Sequence, residues 1–157
     1  MDFVHDQVYD GRKIRILNII DAYTRFVPAI GVRDSYTGAD VVETLERVCS
    51  RLGYPKSIRV NQGPEFVSKD LDLWAYAKGV EMDFSRPGKP TDNAFIESLN
   101  GKFRAECLTA HWLVSLADAR RKCESWRVEY NNLRQHSAIG YEVPTTLMIS
   151  SGPGSPT

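Results

Sequence analysis

No apolar run in these 157 residues approaches the roughly 20 that a membrane-spanning helix needs, so no such helix is expected within them. No basic, apolar leader opens the chain either, and the expected setting is the cytoplasm. Cysteine is scarce: the three residues Cys49, Cys107 and Cys123 are odd in number, far apart in sequence and without metal-ligand spacing. That excludes a disulfide framework or a zinc site and fits a reducing compartment. An excess of charge of one sign is also missing, because twenty Lys and Arg balance twenty Asp and Glu. A protein held to nucleic acid by overall charge is thereby excluded, and any DNA contact must come from a local basic patch. There is no internal repeat and no interior linker. What remains is an ordinary globular composition, 42% apolar and 25% charged, in a chain of single-domain size. The expected organisation is one domain over residues 1–150 and a disordered tail over 151–157.

The first third alternates with the period of strands in DFVHDQVY, KIRILNIID and TRFVPAIGV, with Asp10-Gly11 as the turn between the first two. A three-strand antiparallel meander is predicted. The period then changes: Val41, Val42, Leu45, Val48, Cys49 and Leu52 recur at helical spacing behind a Thr37-x-x-Asp40 capping box, with Gly53 as the stop. SIRV reads as a short strand running into Asn61, Leu71 to Lys78 as a helix, and EMDF as another strand. A polar loop, RPGKPTDN, follows. Helices are then predicted from Thr91 to Leu108 and behind a Ser115-x-x-Asp118 cap, where Leu116, Ala119, Cys123, Trp126 and Tyr130 form one apolar stripe. This order predicts an α/β fold of the ribonuclease H-like type: a five-stranded mixed sheet, three antiparallel strands then two parallel additions, flanked by helices.

Three positions could carry chemistry. Asp2 opens the first strand, Asn61 ends the fourth, and Glu97 lies on the helix after the polar loop. On that helix Phe95, Ile96, Leu99, Phe103 and Cys107 form the predicted buried arc, while Glu97, Asn100, Gly101 and Arg104 fall opposite at spacings of three, four and seven. Carboxylates brought from strand ends and a helix are the hard oxygen ligands that magnesium or manganese prefers. Two such ions about 3.5–4 Å apart suit phosphodiester chemistry. Alone, Asp2 is more often a solvated terminal residue and Glu97 a charged helix face, so these residues by themselves leave the metal reading open.

The runs MDFVHD, GRKIRILNIIDAYTRF, RVNQGPEF, RPGKPTDNAFIESLNGKFRAECL and WRVEYNNLRQHSAIGYEVP, in that order, cover nearly the whole chain. They resemble the catalytic core of bacterial insertion-sequence transposases in the retroviral integrase superfamily. The thirty-five residues between Asn61 and Glu97, 62 to 96, match that superfamily's Asp, Asp-35-Glu spacing. The resemblance implies that Asp2 and Glu97 are catalytic metal ligands in a two-metal site holding Mg2+ or Mn2+, with Asn61 in the second aspartate's place. It implies hydrolysis at element ends, then direct attack of a 3′-hydroxyl on target DNA. It further implies an oligomer, at least a dimer, acting on element ends and target DNA, and an upstream end-recognition region, which is expected to be missing from a catalytic core. Arg104 matches a basic position that contacts the DNA end, and Arg86, Lys89, Lys102 and Arg104 are the candidate DNA-binding patch. A ribonuclease H-like nuclease would share the fold and metals but not these runs.

Asn61 departs from the pattern. It is neutral, and a site for two dications loses one formal negative charge, so impaired strand transfer is expected, or a non-catalytic remnant that keeps only DNA or partner binding. Glu65, four residues on, is not expected to take over. Asp6 lies on the first strand within conceivable reach of the site, Asp21 and Arg25 read as a structural pair, and His136 in LRQHSAIG as a packing or hydrogen-bonding residue.

Overall fold

The computed structural model describes residues 1–61, 63–85, 94–136 and 139–151, with residues 149–151 as backbone alone. The meander forms as predicted: β1 (Asp2–Gln7), β2 (Lys13–Ile19) and β3 (Ala29–Arg33) pair antiparallel, with Asp2 opposite Asn18. β3 starts later than the apolar run suggested, because Asp21 to Phe26 is spent on a turn closed by the Asp21 N–H to Phe26 carbonyl bond of 2.8 Å.

Helix α1 (Gly38–Leu52) starts at the predicted capping box, whose two reciprocal bonds are both present: Asp40 N–H to Thr37 Oγ1, 3.2 Å, and Thr37 N–H to Asp40 Oδ2, 2.9 Å. It stops at Gly53, whose φ of 95° is open to glycine and strained for other residues. Next come β4 (Ser57–Val60), α2 (Lys69–Lys78, capped by Ser68) and β5 (Glu81–Phe84), which pairs parallel with β4. All five strands of the expected mixed sheet are present, in two ladders, β1-β2-β3 and β4-β5. The Met1 amino group donates to the Arg59 carbonyl at 2.7 Å and sets β4 beside β1.

Helix α3 (Ala94–Phe103) continues as a π-helical turn (Arg104–Leu108), where Thr109 N–H reaches back five residues to the Arg104 carbonyl at 2.8 Å. The wider turn buries both Cys107 and Leu108. α4 (Leu116–Leu133) begins at the predicted Ser115 cap and buries Ala119, Cys123, Trp126 and Tyr130. α5 (Pro144–Ser151) was not predicted; Pro144 suits a first helical position, where its missing N–H costs nothing. The domain boundary expected at residue 150 falls inside it, and residues 152–157 lie outside the described residues.

The strand pleat explains the two cores. Val4, Ile14 and Ile16 pack with Ile96, Leu99, Phe103, Cys123 and Trp126 of α3 and α4, whereas Leu17 and Ile19 pack with Val41, Leu45 and Val48 of α1 and with Leu71 of α2. Both sheet faces are covered, which is why the β2 sequence reads as a nearly continuous apolar run.

Candidate active site

One residue interrupts that run. Asn18 is fully buried, and it stands opposite Asp2 at the end of the sheet where β1 begins. Its side-chain amide donates to Asn100 Oδ1 at 2.8 Å, and Asn100 Nδ2 donates in turn to Asp2 Oδ2 at 3.4 Å. From the other side Asn61 Nδ2 donates to Asp2 Oδ1 at 2.6 Å, and Phe3 N–H reaches the same oxygen at 2.8 Å. Asn61 Oδ1 accepts from Gly63 N–H at 2.9 Å. The Asp2 carboxylate is thus held at both oxygens by N–H donors from β1, α3 and the β4 end.

The structure therefore brings Asp2 and Asn61 together, as expected. Glu97 is exposed on the first turn of α3, one turn before Asn100. Among the described residues no hydrogen bond joins Glu97 to the Asp2 cluster, and no group of three or more His, Cys, Asp or Glu is placed to hold a metal ion. Asn61 turns its NH2, and not its oxygen, toward Asp2. As arranged, these residues do not fit a two-metal centre.

The Glu65 carboxylate is taken up in a part-buried ion pair with the Arg15 guanidinium. Burial works to raise its pKa, but the bond from Arg15 and the charges of Arg15 and His5 hold it below the ordinary carboxylate value. Asp6 also stays apart: it accepts from Gln7 N–H at 2.8 Å, and its charge is felt at Cys123 on α4. Asp21 is buried and accepts from Tyr23 N–H at 2.9 Å; burial raises its pKa against the bonds from Tyr23 and Thr24 and the weaker pull of Arg25. The expected Asp21–Arg25 pair is mainly backbone, through Arg25 N–H to the Asp21 carbonyl at 2.8 Å. The Arg25 guanidinium lies instead 4.0 Å from the Phe95 ring centroid. Phe95, predicted buried, is 49% exposed under that cation.

Of the predicted basic patch, Arg86 and Lys89 lie outside the described residues, as does the whole loop over 86–93. Arg104 is exposed where the π-helical turn begins, and Lys102 is half-buried on another flank of α3. The charge of Lys102 acts with those of Arg134 and Arg25 on His136, whose imidazole is pushed down to about 4, first by burial and then by these three cations. His136 packs against the Tyr130 ring at 4.9 Å and bonds through its backbone to Glu142, the packing role expected of it. Arg25 and Arg134 were missed as neighbours of Lys102 because the fold, not the sequence, joins the β2–β3 turn to the ends of α3 and α4. Asn100 and Asn18 were missed as partners of Asp2, although an asparagine inside ILNII was itself a signal that a buried polar group had a bond to make.

An apolar cavity of about 290 Å³ has Met1, Leu45, Ile58 and Ile96 among its walls. Met1 and Ile96 adjoin Asp2 and Glu97 in sequence, but an apolar lining does not suit a phosphodiester.

Two family models, each described as an integrase core domain, match residues 1–90 and 78–144. The chain belongs to the integrase core domain family. This integrase core is 46% identical over 145 residues to the insertion element IS407 uncharacterized 31.7 kDa protein of Burkholderia multivorans, covering 92% of this chain and 52% of that protein. It is 44% identical over 140 residues to the insertion element IS476 uncharacterized 39.2 kDa protein of Xanthomonas euvesicatoria, covering 89% of this chain and 40% of that protein. The chain thus spans about half the length, or less, of these relatives. Its fold matches the HTLV-2 integrase catalytic core domain, solved in complex with magnesium in a trimeric form. That match has a TM-score of 0.67 at 16% identity and covers 94% of this chain and 95% of the other. The resemblance to insertion-sequence transposase cores and the ribonuclease H-like fold are both borne out.

Proposed function

We propose that this integrase core is the catalytic part of a DNA transposition enzyme, built for metal-dependent phosphodiester hydrolysis and strand transfer, and that Asn61 disables it. The observation that carries this reading is the meeting of Asp2 and Asn61 across the ends of β1 and β4, with Glu97 one turn from the Asn100 that holds Asp2. In this reading Asp2 and Glu97 are the remaining acidic ligands for Mg2+ or Mn2+, and Asn61 stands where a third is required. Two carboxylates and a neutral amide that turns its NH2 inward bind dications poorly. The residues of this chain still orient the Asp2 carboxylate, through Asn100 and Asn61, and Arg104 with Lys102 can meet backbone phosphates. The partners are element-end and target DNA, on which two or more copies assemble; that the HTLV-2 core is described in a trimeric form supports self-association of the fold. In this reading the activity, acting on DNA, is cytoplasmic.

A second reading, a non-catalytic core that retains DNA or partner binding, is favoured by the Asn61–Asp2 bond itself, which satisfies the carboxylate without a cation. Manganese-dependent nicking of supercoiled plasmid by the Asn61→Asp variant separates the two. Nicking by the variant and not by the chain as written supports the disabled enzyme, and nicking by neither supports the non-catalytic core.

A further inference from the structure

The amide of Asn61 has two neighbours of opposite demand. Gly63 N–H needs an acceptor and Asp2 Oδ1 needs a donor, so only one orientation of the amide satisfies both: oxygen to Gly63, 2.9 Å, and nitrogen to Asp2, 2.6 Å. Reversing it to offer its oxygen to a cation beside Asp2 breaks both bonds and sets an amide oxygen against a carboxylate. The turn is also tight, since a Cβ at Gly63 would lie 3.1 Å from Asn61 Oδ1 and 3.3 Å from Glu65 Oε2. We propose that Asn61 is a clasp that closes the site in place of metal: it joins the end of β4 to the start of β1, and the protein neither needs nor gains from a dication there. The proposal rests on the reading of positions 2, 61 and 97 as the family's metal site, and it adds that the substitution stabilises the metal-free fold besides removing a ligand.

The charge arrangement gives the reason. With Asp2 Oδ1 receiving Asn61 and Phe3 and Oδ2 receiving Asn100, the carboxylate is solvated by protein donors alone. An aspartate at 61, kept on Gly63 N–H, would set a second carboxylate against Asp2 with no counter-charge between them. Beside this contact the Met1 amino group donates to the Arg59 carbonyl, and the Arg15 guanidinium of β2 pairs with Glu65 beyond Asn61. The clasp therefore works beside these two contacts in joining the end of β4 to the meander.

Thermal melting in EDTA and in millimolar Mn2+ tests this on the chain, Asn61→Asp, Asn61→Ala, and Asp2→Asn combined with Asn61→Asp. In EDTA both single variants should melt lower than the chain by roughly 3–10 °C. The combined variant, which restores one amide facing one carboxylate, should recover part of that loss. Mn2+ should raise Asn61→Asp and leave the chain unchanged. An Asn61→Asp protein that melts in EDTA like the chain, or a chain that Mn2+ stabilises, overturns the clasp. So does an Asn61→Ala protein that melts like the chain. The result is independent of catalysis: Asn61→Asp with the expected melting but no nicking keeps the clasp and loses the enzyme reading, and the reverse pattern does the opposite.

Discussion

Asn100, one helical turn beyond Glu97, donates to Asp2 Oδ2 and accepts from the buried Asn18, so a single side chain ties α3 to the first two strands. In an Asn61→Asp background, Asn100→Ala should lower strand transfer about 10–100-fold, the usual cost of losing an outer partner of a metal-binding carboxylate. Affinity for DNA, measured by fluorescence anisotropy, should not change. A loss of DNA binding equal to the loss of rate would place Asn100 on the DNA and not behind Asp2.

Glu65→Gln should cost about 1–3 kcal/mol of stability in urea unfolding, because it leaves the part-buried Arg15 without its anion. The Arg15 guanidinium would keep only its position over the Phe3 ring, 4.3 Å from the centroid. Any residual nicking by the chain should survive this change. If nicking falls with Glu65→Gln while the fold holds, Glu65 has a role at the site that its pairing with Arg15 does not reveal.

The buried His136 has a pKa near 4 in the fold against an ordinary 6.5, so the unfolded chain binds its proton more tightly than the native protein. Its contribution to stability is complete above about pH 6.5 and is lost as pH falls toward about 4. Melting temperature should therefore drop less on acidification in His136→Gln than in the chain. Asp21, whose pKa burial raises, titrates with the opposite sign but equally in both proteins. Parallel curves would mean that His136 is not the group responsible.

Arg104→Ala should weaken DNA binding without regard to sequence and reduce the slope of log affinity against log salt by about one, as expected of a single phosphate contact. Arg25→Ala should do the same if the flank it shares with Lys102 and Arg134 also meets DNA. An unchanged slope for Arg104→Ala would leave that residue as solvated charge.

How much of this was legible in the sequence follows from which interactions are local. Thr37 and Asp40, Ser115 and Asp118, and Gly53 act within a few residues of themselves, and the helices begin or end where those residues stand. The strand ends that carry Asp2 and Asn61 were also readable, because the alternation in DFVHDQVY and the short apolar run SIRV are local patterns. Phe95 was misplaced because helical periodicity counts apolar residues and cannot see that Arg25, from a distant turn, covers the ring. The orientation of the Asn61 amide was equally out of reach. Sequence shows a neutral residue among carboxylates, whereas only the positions of Gly63 N–H and Asp2 Oδ1 decide which of its atoms faces the site.

The most direct test is strand transfer of a pre-processed DNA end into target DNA with Mn2+, comparing the chain, Asn61→Asp, and Asn61→Asp carrying Glu97→Ala as the blank. Joining by Asn61→Asp alone, at least 100-fold above the other two, is the predicted result; about this much follows if the missing ligand costs some 3 kcal/mol of transition-state stabilisation. Equal joining by the chain and by Asn61→Asp would contradict the account, because Asn61 would then have served the reaction that its amide is proposed to block.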